Sequence, residues 1–168
     1  MSVSLFTFVE MYAKGLVTLQ HLLGKARSYA DEQGIAEPEI LNWRLVDDMF
    51  PLWRQAQIVA TFGARWPYRA AGLGEIDEFD QEMDFDQLFS LIATSQAKLS
   101  DLRPEQFDGR GNEPFTLSLG VIEPTMPLEQ WVTGFATTNF YFHLSIAYAI
   151  LRARGVPLGK PDMFAGGL

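Results

Sequence analysis

Apolar residues return at three- and four-residue intervals over four long stretches of this chain, and proline, glycine and acidic residues collect between them. In the first stretch Leu5, Phe8, Val9, Tyr12, Leu16, Leu19, Leu23, Ala26 and Ala30 share one face at 100° per residue. A helix is expected from about Ser4 to Gln33, with Gly34 as its stop. Pro38 suits the first turn of a short helix containing Ile40, Leu41 and Leu45. Pro51 has no backbone N–H and starts or kinks the next helix, which Asp47 or Asp48 is placed to cap. From there Leu52, Ala56, Val59, Phe62 and Trp66 form the inward stripe, with Gln55 among them and Gln57 projecting elsewhere. Pro67, Gly72 and Gly74 are expected to end that helix in stages.

A third helix is predicted over Asp86 to Asp101, with Leu88, Phe89, Ile92 and Leu99 facing in. Beyond it the period changes from helical to alternating. Phe115, Leu117 and Leu119 alternate with Thr116 and Ser118, and Gly120 follows as a turn residue, so a small β-hairpin is expected, its second arm confined to an edge by Pro124. Pro127 then suits the entry of the longest apolar stretch, Leu128 to Arg154. Carried through at constant pitch, Leu128, Trp131, Val132, Phe135, Phe142, Ile146, Ala149 and Ile150 make one stripe of that helix. Phe140, Tyr141, Leu144, Tyr148 and Leu151 make a second patch on its other side. Arg152 and Arg154 in the last turn, Gly155 after it and Pro157 beyond are a legible stop. Four main helices, one long crossover and a hairpin before the last helix describe an all-α up-down four-helix bundle.

Composition narrows the class of function. The 168 residues suit one domain spanning 1–168, and 48% hydrophobic content suits a globular core. A formal net charge of −8 argues against a nucleic-acid surface, which needs clustered Lys and Arg. No apolar run reaches the roughly 18 residues of a membrane span, and the first residues lack the basic region of a secretory signal, so a cytoplasmic protein is expected. With no cysteine there is neither disulfide nor thiolate metal site. Seven acids and no basic residue fall between Glu75 and Asp86; this reads as a solvated loop in which Asp84 caps the next helix, since the spacing does not match an EF-hand.

Three polar side chains interrupt the inward faces. Gln55 lies within the stripe of its helix, Asn139 within the stripe of the last helix, and His143 at that stripe's edge one turn on. An unpaired buried polar group costs about 1–3 kcal/mol, so each needs a partner. They are read either as a satisfied cluster that fixes helix register or as one wall of a small-molecule pocket. Tyr141 and Phe142, beside His143 in the chain, complete the candidate ligand-contacting set, although Tyr141, like Tyr148, also suits packing on the second face. His143 is the inward group that titrates near neutral pH and the candidate acid or base, with Asp48 as the carboxylate that would orient it. His21 is expected on the exposed side of its helix, and Ser145 projects about 200° from His143, too far round to serve as its nucleophile. No phosphate-binding loop, nucleophile elbow or H-E-x-x-H motif is present.

The blocks DMFPLWRQAQ and NFYFHLSIAYAILRARGVPLGKPDMF, taken in this order, resemble a domain-of-unknown-function family of the DinB-like (YfiT-like) superfamily, and the likeness runs over essentially the whole chain. The resemblance implies a four-helix bundle, often dimeric, whose better-studied members bind a divalent metal through one histidine on the second helix and two at i, i+4 on the last. Some of those members are transferases or hydrolases. Here His143 matches the later histidine of the pair, Asn139 stands at the earlier position, and Gln55 (or Gln57) takes the third place. The expectation is therefore a homodimer with a small-molecule pocket around His143 and a degraded metal site. No cofactor is predicted; zinc or nickel held through His143, in a metal-dependent transferase or hydrolase, is the alternative, and a ligand-free structural or interaction protein is the third.

Overall fold

A computed structural model describes residues 4–76 and 80–167. Its helices are α1 (Phe6–Gln33), α2 (Glu37–Leu41), α3 (Leu52–Ala70), α4 (Phe85–Ser100), α5 (Leu128–Gln130) and α6 (Thr137–Ala153), with strands β1 (Pro114–Thr116) and β2 (Thr125–Pro127) between α4 and α5. The bundle consists of α1, α3, α4 and α6. Both α1 and α3 pack against each other and against α4 and α6. Gln57, near the start of α3, donates to the Gln81 carbonyl just ahead of α4, and Lys98, near the end of α4, sits over the Tyr68 ring near the end of α3. The two helices therefore run parallel, and the chain between them is the long crossover that the element pattern requires.

Local chemistry explains most boundaries. Gly34 ends α1 in the left-handed conformation (φ 66°), donating to the carbonyls of Ala30 and Asp31. Asp84 and Gln87 form a reciprocal capping box at the start of α4. The close of α6 is a left-handed Gly155 (φ 93°) followed by a bond from Val156 N to Leu151 O. The hairpin pairs Phe115 with Met126 and Thr116 with Thr125, and Gly120 (φ 89°) turns it. Trp131 Nε1 donates to the Phe115 carbonyl at 2.8 Å and ties the hairpin to the last helix.

Four expectations are corrected. Pro67 does not end α3; it lies inside, and the helix runs to Ala70 before Gly72 (φ 74°) turns the chain. Neither Asp47 nor Asp48 caps α3, whose N-cap is Pro51 with no side-chain bond. Leu45 falls outside α2 and is exposed. The largest correction concerns the last helix, which is not of constant pitch: Trp131–Ala136 is π-helical. A π turn accommodates one extra residue, which rotates everything after it by about 100°. Leu128, Trp131 and Val132 stay buried, but beyond the π segment the inward residues are Phe140, Leu144, Ala147, Ile150 and Leu151, whereas Phe142 is 52% exposed. The supposed second patch is the core face.

Candidate functional site

Gln55 is buried on α3, and its side chain is held at both ends. Its Nε2 donates to the Phe50 carbonyl at 3.1 Å, which turns Oε1 toward α6, where it lies 2.7 Å from His143 Nδ1. An amide oxygen only accepts, so His143 Nδ1 carries the hydrogen and Nε2 keeps a lone pair. No residue among those described bonds Nε2. Burial, and then the positive charge of Arg54, push the His143 pKa down to about 4, so the ring is neutral at physiological pH. Arg54 itself donates to Gln57, approaches Asp80 at 3.5 Å and lies over the Phe50 ring. The Phe142 ring meets the imidazole edge-on at 5.2 Å. The neutral imidazole thus has the exposed Phe142 ring against its edge and the Arg54 guanidinium in its field, and that guanidinium in turn lies over the exposed Phe50 ring.

The other residues singled out from the sequence do not join this pair. Asn139 is half-buried and turns back on its own helix, donating to the Phe135 carbonyl at 2.8 Å inside the π segment. Thr137 treats the Val132 carbonyl in the same way and accepts from Tyr12. These side chains add bonds where the backbone ladder is irregular, which accounts for their polarity. Asp48 is exposed in the turn before α3 and bonds nothing among the described residues, so it does not orient His143. Tyr141 projects to another side, into a cavity of about 470 Å³ between α1, α6 and the C-terminal segment. Gln57, expected to project elsewhere, is fully buried and braces the crossover. His21 is not simply a surface group: it bonds Asp162 at 2.7 Å. Asp77 and Glu78 of the acidic run lie outside the described residues. The described acids of that run are mostly engaged: Glu75 with Arg69, Asp80 with Arg54, Glu82 with Asn42 and Asp86 with Arg27.

The pattern along the helices pointed to Gln55 and His143 together. It gave no sign of the Phe50 carbonyl that locks them, because a backbone group carries no signal of its own. Nor does this donor set fit the three-imidazole centre implied by the family likeness. One imidazole is present, its Nδ1 spent on an amide, and the neighbouring carboxamide faces its own helix. Among the described residues no three His, Cys, Asp or Glu side chains gather as a metal would require.

Comparison with known proteins supplies the lineage. Residues 6–164 match the family described as domain of unknown function DUF1993. The fold is similar to the crystal structure, at 1.83 Å resolution, of a DinB family member from Shewanella denitrificans: TM-score 0.83, 26% identity, covering 95% of this chain and 90% of that one. No curated protein matches the chain. No helix among the described residues is long and apolar enough to cross a membrane.

Proposed function

Because the chain belongs to the DUF1993 family and carries a DinB-like bundle, we propose that it binds a small organic molecule where α3 and α6 meet, through His143 Nε2. The observation that supports this reading is the 2.7 Å Gln55–His143 bond, locked in one sense by the Phe50 carbonyl. It fixes the tautomer and presents a lone pair to whatever approaches. The ligand class that suits such a site has an N–H or O–H donor to meet Nε2 and an apolar body to lie on Phe50 and Phe142. A group whose pKa is about 4 is a weak base. Proton abstraction is most effective when the base titrates near the working pH, so the lowered basicity of His143 favours binding over catalysis.

A thermal-shift screen of metabolites and divalent metals on wild type, His143→Ala and Gln55→Ala tests this. A hit should stabilise the wild type and lose that effect in both variants, because selective binding to the native state raises its stability by mass action. If His143→Ala changes the melting temperature but no compound distinguishes it from wild type, the pair is a register device between α3 and α6. The satisfied geometry of Gln55 favours that second reading. Stoichiometric metal in untagged protein would instead restore the metal-dependent transferase or hydrolase.

Exposed apolar side chains support the expectation of a homodimer. Leu45, Val46, Phe50 and Phe142 are large apolar side chains left at the surface, and pairing of two copies would cover such groups.

A further inference from the structure

The parallel course of α3 and α4 leaves a cavity of about 740 Å³ between them, bordered on its outer side by Glu75, Ile76 and Met83 of the crossover. It includes neither Gln55 nor His143. Two of its wall residues are Thr61 of α3 and Ser95 of α4, only 5% and 3% exposed. Neither hydroxyl has a hydrogen-bond partner among the described residues, whereas the neighbouring Thr94 hydroxyl is spent on the Ser90 carbonyl. Both oxygens nevertheless keep accessible surface, since Trp66 Nε1 is the one fully enclosed side-chain polar atom without a partner among those described. Residues this buried have little but the cavity to expose their oxygens to. Hydroxyls that face an open cavity are met by water when nothing else is bound, and two on facing helices that line one space are what the polar group of a ligand would satisfy in water's place.

The rest of the wall says which kind of molecule carries that group. Ile76, Met83 and Leu91 offer apolar surface. Three carboxylates, Glu75, Asp84 and Asp86, stand at the rim against one ammonium, Lys98, which lies over the Tyr68 ring. Asp84 is occupied as a helix cap, and Glu75 and Asp86 are paired with arginines. The two arginines offset much of that negative charge but do not line the cavity, whose own wall carries three carboxylates against one ammonium and so suits a cation better than an anion. We infer that this cavity is a second binding site, for a small amphipathic amine whose apolar chain lies on Ile76, Met83 and Leu91 and whose head group bonds the Thr61 and Ser95 hydroxyls. This site shares no residue with the His143 site, so either can fail without the other.

The test titrates the full chain with n-hexylamine, 1-hexanol and hexanoate, followed by two-dimensional ¹H–¹⁵N NMR. The comparison is with the near-isosteric double variant Thr61→Val/Ser95→Ala, which removes both hydroxyls; its own spectrum shows whether it folds, and Ser95→Ala alone replaces it if it does not. Hexylamine should bind saturably, shifting amides of α3 and α4, at least tenfold more tightly than hexanoate. Binding should weaken at least tenfold in the variant and be unchanged in His143→Ala. Absence of saturable binding would overturn the site. Equal binding by the variant would overturn the role of the hydroxyls, and equal or tighter binding of hexanoate would overturn the amine.

Discussion

An unperturbed histidine titrates near pH 6.5, whereas His143, sunk between α3 and α6 beside Arg54, does so near 4. Between those two values the unfolded chain takes up a proton that the folded chain refuses. Stability therefore falls as the pH is lowered from about 6.5 to about 4 and changes no further, on this account, below that. His143→Gln removes the titrating group. Its denaturation midpoint should be flatter with pH across that interval than that of the wild type, measured by urea unfolding at a series of pH values. In an NMR titration the His143 ring protons should still report the neutral form at pH 5. A ring that titrates near 6.5 would mean that the Gln55 contact and the burial are not maintained in solution. Asp162 works in the opposite chemical sense but the same direction: the His21 contact and the Gly159 backbone N–H hold its carboxyl well below the usual range. Its stabilising contribution is lost only in strong acid, as the pH drops through the carboxylate range.

At the level of elements, periodicity gave the apolar core faces of α1, α3 and α4, where Leu16, Leu19, Val59 and Ile92 are buried as their spacing requires, and missed the burial of polar Gln57. It failed in the last helix for an identifiable reason. An extrapolation at 100° per residue cannot see the extra residue held in Trp131–Ala136, so it placed Phe142 inside and Phe140 on a second face. Asn139 and His143 both follow the π segment and turn together; their partners differ because the Asn139 amide folds back on the Phe135 carbonyl while the His143 ring reaches Gln55. The element pattern did reveal the hairpin and the long crossover, which depend on short-range turn chemistry. The cavity of Thr61 and Ser95 was not legible, because isolated hydroxyls carry no pattern until two helices are set side by side. The ring of Phe140 on α6 lies against Gly15 of α1 and Gly63 of α3. A methyl at Gly15 would stand 2.4 Å from its ring, and one at Gly63 3.1 Å from it. Gly15→Ala should therefore cost about 1–3 kcal/mol through overpacking, despite alanine's better helix propensity. For a domain of this size that is a fall of several degrees in melting temperature by calorimetry.

For the molecule as a whole, the question left at the surface is self-association. If two copies meet through Phe50 and Phe142, wild type should run at twice the monomer mass in light scattering, and Phe50→Ser/Phe142→Ser should run as a monomer with unchanged helicity. A wild-type monomer at all accessible concentrations would dispose of the pairing. The π segment carries a further consequence that reaches beyond packing. Trp131 within it is stacked on Trp66 of α3, with ring centres 5.9 Å apart and 21° between planes. Two indoles that close couple their electronic transitions, so the native bundle should show a paired positive and negative band in circular dichroism that neither chromophore gives alone. Trp131→Phe should abolish it. Followed during refolding, the appearance of this optical signature would time the moment at which the end of the chain seats against its middle.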